Sequence, residues 1–378
     1  MISEKKIGDV FKVTSGGTPS RKKQEYYKNG TIPWVKTGDL KGKYANEPKE
    51  YITELALANS SAKIFPKNTV LLAMYGATIG ACSILKIAAA TNQACGAILP
   101  SEKCDHVYLY YYLKSINKEL ISKGVGGAQP NISGGIIKST KIPLPPLDQQ
   151  KKIAAILDAA DTYRQKTKAL IKKYDELTQS LFLDMFGDET GSLTELGKVI
   201  KTVGGGTPSK DNEQYWNGSI PWASVKDLKS DRLNKTQDFI TQAGVDNSAT
   251  RVIPNGSLIV ATRMAVGRAA ICEMDVAINQ DLKAIQLIGE INITYLLYLF
   301  KSKENYFDSV SSGATVKGIK IEHITKLKVN LPEIDLQNQF AERVQAIEAQ
   351  KAQAQASLAG AEDLFNSLLQ RAFKGELV

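Results

Sequence analysis

A chain of 378 residues, 43% of them hydrophobic, is long enough for two or three domains with cores of their own, which excludes a disordered chain. Its formal charge of +9, from 48 Lys and Arg against 39 Asp and Glu, leans towards a polyanionic partner. The 4 cysteines (Cys82, Cys95, Cys104, Cys272) show no CxxC spacing and the 2 histidines are His106 and His323, which excludes a zinc site of ordinary ligand spacing and fits reduced thiols.

The opening Met1-Ile2-Ser3-Glu4-Lys5-Lys6 lacks a hydrophobic signal core. The longest apolar run, Val70 to Leu85, is broken by Gly76, Gly80 and Ser83 and is too short to span a bilayer. The expectation is a soluble, cytoplasmic protein with no membrane contact. Gly16-Gly17-Thr18-Pro19-Ser20 reads as a hairpin turn, because Pro19 removes an amide from any phosphate cradle and the P-loop spacing is absent. Arg21-Lys22-Lys23, with Lys36, Lys41 and Lys43, is the densest basic stretch. Ile32-Pro33-Trp34-Val35-Lys36, Val70 to Tyr75 and Cys82 to Leu85 read as short strands bounded by Gly, Pro and Asn. Val107 to Ile121 reads as a helix.

Extended, helix-excluding Ile142-Pro143-Leu144-Pro145-Pro146 follows, with Asp148 as N-cap of a long helix that stops at Gly187. Its heptads place Ile156, Tyr163, Leu170 and Leu177 on one seam and Ala160, Thr167, Tyr174 and Leu181 on the other. A matching helix near the end alternates Val344, Lys351, Leu358 and Phe365 with Phe340, Ile347, Ala354, Ala361 and Leu368. Each runs on the order of 36 residues, roughly 54 Å. A helix that long needs a partner, and an antiparallel coiled coil between the two supplies it.

The chain is written twice. Gly16-Gly17-Thr18-Pro19-Ser20 returns at Gly205 to Ser209, Asn29-Gly30-Thr31-Ile32-Pro33-Trp34 as Asn217-Gly218-Ser219-Ile220-Pro221-Trp222, Asn92-Gln93 as Asn279-Gln280, and Gln150 as Gln337. A period this long is a duplicated domain rather than a solenoid. The first copy is the basic one, with 20 Lys/Arg against 11 Asp/Glu over residues 1–150, whereas residues 189–335 balance at 17 each. The second copy predicts its helix over Ile293 to Val310.

Catalytic constellations fail. Leu144-Pro145-Pro146-Leu147 lacks the acceptor side chain and aromatic of the Asn/Asp-Pro-Pro-aromatic tetrapeptide of amino-methylating enzymes. Asp39, Glu47 and Lys49 form a D…ExK pattern of the metal-dependent nuclease type, but Lys235 stands where the second copy would need Glu47. No Ser/His/Asp set is available.

The ordered motifs resemble the specificity subunit of type I restriction–modification systems. They are the two Gly-Gly-Thr-Pro-Ser segments, Ile-Pro-Trp before Asp39-Leu40 and Asp227-Leu228, the Pro145-Pro146-Leu147-x-x-Gln150 boundary, and the endings Leu181 to Gly187 and Leu364 to Leu377. The resemblance covers essentially the whole chain. It implies an α+β fold with two target recognition domains (1–147 and 188–335) and two spacer helices (148–187 and 336–378), pseudo-two-fold. It also implies a non-catalytic subunit on double-stranded DNA that carries two methyltransferase subunits and restriction subunits. S-adenosylmethionine, ATP and Mg²⁺ would then belong to those partners, and no cofactor or metal to this chain. The target would be bipartite and asymmetric, with half-sites about one helical turn, ~34 Å, apart.

Within that resemblance, residues identical in both copies serve structure or phosphate positioning, since they cannot explain two different half-sites. Trp34 and Trp222 are read as core. Divergent loop residues are the readers: Tyr75 and Thr78 against Arg263 and Arg268, and Gln129 and Asn131 against Thr315 and Lys317. Arg21, Lys22 and Lys36 with Lys210 and Lys226 complete the DNA-binding set. The interface set is Ile156, Tyr163, Leu170, Leu177, Val344, Ile347, Leu358 and Phe365. Alternatives are a coiled-coil scaffold without DNA, a nuclease at Asp39/Glu47/Lys49, and a silent copy that donates recognition domains by recombination.

Overall fold

A computed structural model describes residues 3–124, 130–187, 193–313 and 315–377. The chain forms two compact units, residues 1–168 with 356–378, and residues 169–355. Each unit therefore holds one globular domain together with a segment of the central helix, Leu147–Phe186, and a segment of the last helix, Ile334–Lys374.

In the first unit a five-stranded sheet runs in the order Val13–Ser15, Cys95–Ile98, Val70–Ala73, Cys82–Leu85, Tyr44–Ala45. A four-stranded sheet runs Glu50–Ile52, Ile32–Val35, Ala89–Thr91, Ile64–Phe65. Both are mixed, with Ile32–Val35 parallel to Ala89–Thr91 and Tyr44–Ala45 parallel to Cys82–Leu85. Strand alternation assigns the two faces. Leu71, Ala73, Cys95 and Ala97 join one buried cluster with Val35, Phe65 and Ala89 from the four-stranded sheet. Val70, Leu72, Ile84 and Ile98 join a second with Tyr108, Tyr111 and Leu157 from helices. The second unit repeats the arrangement, strand for strand, in sheets of five and four. Burial pushes the Cys95 and Cys272 thiols up to about 12, which suits packing rather than reactivity.

The repeated Gly-Gly pair is not a hairpin turn, contrary to the sequence expectation. It links two different sheets, Val13–Ser15 in one and Ile32–Val35 in the other. Its glycines are required by closeness: a Cβ on Gly16 would lie 2.1 Å from the Thr91 carbonyl oxygen, and one on Gly17 2.3 Å from Ser61. Gly17 N–H donates to that Thr91 carbonyl (2.9 Å), and the indole N–H of Trp34 donates to the Gly17 carbonyl (3.2 Å). Gly206 and Trp222 repeat both bonds, to Ile278 (2.9 Å) and between themselves (3.1 Å). Thr18 donates to Gln93, and Thr207 to Gln280.

The domain helices are shorter than expected. Val107 to Ile121 divides into His106–Ser115 and Asn117–Ser122, and Ile293 to Val310 into Ile293–Ser302 and Glu304–Val310. Asp105 and Asn292 cap the leading segments through their side chains. The central helix starts at Leu147, so Asp148 lies in its first turn, where its charge favours the dipole, rather than at the cap. Buried Gln150 ties this start to the domain: its amide donates to the Pro145 (2.8 Å) and Lys103 (3.2 Å) carbonyls and accepts from Asp105 N–H (3.0 Å). Gln337 does the same with Pro332 (2.8 Å) and Asn292 (2.9 Å).

The two long helices pair antiparallel. Arg164 lies over Phe365 and Lys168 meets Glu362 in the first unit; Asp175 meets Lys351 and Phe182 packs on Phe340 in the second. On the last helix Val344, Phe365, Ala354 and Ala361 are buried, and Ile347 and Leu358 half-buried. On the central helix the seam of Ala160, Thr167, Tyr174 and Leu181 is buried or half-buried as expected, whereas the other seam sits one residue from its expected place. Ile156, Tyr163, Leu170 and Leu177 are 39–55% exposed, while Leu157, Asp161, Thr167, Thr178 and Phe182 are buried. The seam track Gln150, Leu157, Arg164, Ile171, Thr178, Met185 looks too polar for a core, but its polar members find partners, although the Arg164 Nε is left without a hydrogen bond. Arg164 pairs with Asp161 and stacks 4.4 Å from the Phe365 centroid, and Thr178 donates to the Tyr174 carbonyl (2.9 Å).

Gly16→Ala should destabilise the protein by about 3 kcal/mol, because backbone on both sides must give. Gly38→Ala, where a side chain meets nothing within 4 Å, should change the unfolding midpoint little. Thermal unfolding of the two variants side by side checks the contrast.

Candidate nucleic-acid interface

One pair of loops projects from each five-stranded sheet, and main-chain bonds hold each pair together. In the first unit Ile132 N–H donates to the Met74 carbonyl (2.7 Å), bringing Asn131 beside the loop that carries Tyr75 and Thr78. In the second, Ile319 N–H donates to the Thr262 carbonyl (2.8 Å) and Met264 N–H to the Lys317 carbonyl (2.9 Å), joining the loops of Arg263 and Lys317. Asn131, Arg263, Thr315 and Lys317 are exposed. Tyr75 is partly buried against the domain core and Thr78 half-buried, which narrows what either could offer a base. Gln129 lies outside the described residues. Arg268 is separated from Arg263: its guanidinium donates to the Leu228 carbonyl (3.1 Å), beside Asp231 and Lys301 in another cavity.

The cations on the Gly-Gly loops are organised by aromatic rings and one acid. Arg21 lies 4.5 Å from the Tyr27 ring centroid and 4.9 Å from that of Trp34, and pairs with Glu50 at 2.6 Å. Lys36 binds the same carboxylate. Burial disfavours the charge on Glu50, yet hydrogen bonds and charge from Lys36 and Arg21 prevail and hold it below the ordinary glutamate range. The pairing is therefore kept at neutral pH and lost only as pH falls through that lowered value. Lys22 is exposed.

The second unit opens the equivalent place. Lys210, Lys226, Trp216, Trp222 and Asp238 line a cleft of about 520 Å³, with Gln280 and Met264 at its wall. Trp216 meets Trp222 edge-on, 5.2 Å between centroids, and its indole N–H donates to the Ser209 carbonyl (3.0 Å). With both indole donors taken, the rings offer only apolar faces. Ser224 replaces Lys36 two residues after the repeated tryptophan, so the position that holds a cation in the first unit carries a short neutral side chain.

Sequence reasoning missed Glu50 and Asp281, acids that pair with these cations, and Asp238, which lines the cleft; Arg263 lies 3.6 Å from Asp281. The one available signal was that Glu50 and Asp238 recur as acids at the period of the repeat. Asp39, the first acid of the nuclease alternative, is committed to the backbone of its own turn, as is its counterpart in the repeat. The Asp39 carboxylate accepts from Lys36 N–H (2.9 Å), and buried Asp227 accepts from Ser224 N–H (2.9 Å) and Gln237 N–H (2.9 Å), so these acids close turns. Among the described residues no group of three or more His, Cys, Asp or Glu is placed to hold a metal ion, and no helix is long and apolar enough to cross a membrane.

Duplicated α+β domains with divergent polar loops on a shared scaffold define a two-module recognition protein. The family model of the type I restriction modification DNA specificity domain matches residues 2–178 and again 188–358. The chain belongs to this family, as a DNA-recognising specificity subunit rather than a catalytic one. It is 27% identical over 404 aligned positions to the type I restriction enzyme MjaIX specificity subunit of Methanocaldococcus jannaschii, covering 99% of this chain and 93% of that one. Two solved structures share the fold. One is a chain from work on assembly and conformational transition of a type I restriction–modification system (18% identity, TM-score 0.65, 99% and 98% covered). The other is the S subunit from M. genitalium (16%, 0.58, 98% and 96%).

Glu50→Gln should release Arg21 and Lys36 to phosphates. Nonspecific duplex binding should tighten, and the slope of log affinity against log salt should steepen by up to about two. A salt titration of wild type and variant by fluorescence anisotropy measures both.

Proposed function

We propose that the chain reads a bipartite, asymmetric DNA target, one half-site per recognition domain, and scaffolds the methyltransferase and restriction subunits that do the chemistry. The observation that carries this reading is the division of labour within the repeat. Residues identical in both copies, such as the Gly-Gly pair and Trp34/Trp222, are used on the scaffold, while Tyr75 and Thr78 correspond in the repeat to Arg263 and Val266. One backbone form bearing two sets of side chains suits two different base sequences.

Docking of two methyltransferase subunits is supported by Ile156, Tyr163, Leu170 and Leu177, apolar residues left exposed at heptad spacing on the central helix. S-adenosylmethionine, ATP and Mg²⁺ act in the partners, in the cytoplasm, where the DNA is. The paired helices act as the spacer that sets the gap.

Co-expression with the methyltransferase subunits in an unmethylated host, followed by genome-wide adenine-methylation mapping, tests this. A single bipartite motif is the expected result; an assembled complex that methylates nothing would favour a silent copy or a scaffold without DNA. Deleting one facing heptad from each helix, residues 165–171 and 358–364, removes roughly 10 Å of spacer. The gap should shorten by about three base pairs with both half-sites unchanged, and a constant gap would refute the spacer role.

A further inference from the structure

Met264 occupies a backbone conformation that its side chain makes costly. Its φ is 65°, in the left-handed region where a bulky residue is an outlier. The equivalent position of the first copy is Gly76, with φ 86°. The loop shape is thus shared, and glycine is the residue that adopts it without strain. Room does not explain the difference, because a Cβ on Gly76 would meet nothing within 4 Å. The second copy carries a long apolar side chain where the first carries none.

That side chain is displayed rather than packed. Met264 is 64% exposed, the most exposed of the large hydrophobic residues described. Its backbone is nevertheless held firmly. Met264 N–H donates to the Lys317 carbonyl (2.9 Å), Arg263 bridges to Gly318, and Ala265 N–H donates to the Arg263 carbonyl (2.9 Å). It stands at the wall of the cleft that Lys210 and Lys226 line, where those cations would meet phosphates. A strained, rigidly held, exposed apolar group beside two lysines is placed to touch a base edge. In the major groove the apolar handle on a base edge is the thymine 5-methyl group.

We propose that Met264 is a specificity-determining residue of the second domain, and that its thioether side chain contacts a thymine methyl in the second half-site. This rests on the DNA-reading function proposed above.

The test uses the assembled methyltransferase complex. Methylation mapping of the wild type gives both half-sites. Duplexes are then made in which each thymine of the second half-site is replaced in turn by deoxyuridine, which removes only the methyl. One replacement should weaken wild-type binding about four-fold, the worth of one buried methyl group. The Met264→Gly complex should lose about the same factor on the thymine duplex and nothing further on the deoxyuridine duplex. Its first half-site should stay unchanged and its unfolding midpoint should not fall, since glycine is at ease in that backbone. A second half-site without thymine, or wild-type indifference to every replacement, overturns the assignment while leaving bipartite reading intact. Equal further loss by Met264→Gly on deoxyuridine also overturns it. A wild-type complex that methylates no bipartite motif overturns both.

Discussion

Each domain depends on one close approach: a glycine pair lying against a neighbouring strand, with a buried tryptophan bonded to its carbonyl. The 3.2 Å bond from Trp34 to Gly17 and the 3.1 Å bond from Trp222 to Gly206 satisfy an indole donor that would otherwise be buried unpaired. They also fix where the chain leaves the five-stranded sheet and enters the four-stranded one. The same geometry sets Arg21, four positions beyond the second glycine, over aromatic rings, and places its counterpart Lys210 on the cleft that Trp216 and Trp222 line. Scaffold and interface therefore meet in a few residues.

A second constraint governs the helices. Gln150 and Gln337 spend their buried amides on main-chain groups of the domain, so each long helix leaves its domain in a set direction. Along the paired stretches, polar residues take seam positions that Leu would ordinarily fill. Arg164 pairs with Asp161 and lies against Phe365, and Lys351 pairs with Asp175 and Glu348. Such groups fix register more than they add stability, because a slip of one turn would take Arg164 away from the Phe365 ring and Lys351 away from Asp175.

Much of this was legible in the residues. The duplication, the strands at Ile32, Val70 and Cys82, and the two long helices follow from local pattern. The seam of the last helix could be read because Val344, Ala354, Ala361 and Phe365 are apolar or small at heptad spacing. The central helix misled because Ile156, Tyr163, Leu170 and Leu177 form the uniformly apolar track, whereas the buried track beside it mixes Leu157 and Ile171 with Arg164 and Thr178. The choice falls to Arg164 and Thr178, polar side chains whose partners lie on another helix or within their own turn.

The interface divides the same way. Chain pattern alone established that there are two domains, that their loops differ, and that cations cluster near the Gly-Gly segments, since each is a matter of residue identity and spacing. Folding settled which cations are available, because Glu50 gathers Arg21 and Lys36 from separate segments while the second copy leaves its cleft open. It also separated Arg263, beside Asp281, from Arg268, bonded to the Leu228 carbonyl, five residues apart in the chain, and it set Met264 in a left-handed backbone. Composition and spacing carry no record of direction, and direction is what a loop acquires only when its carbonyls are bonded across to another.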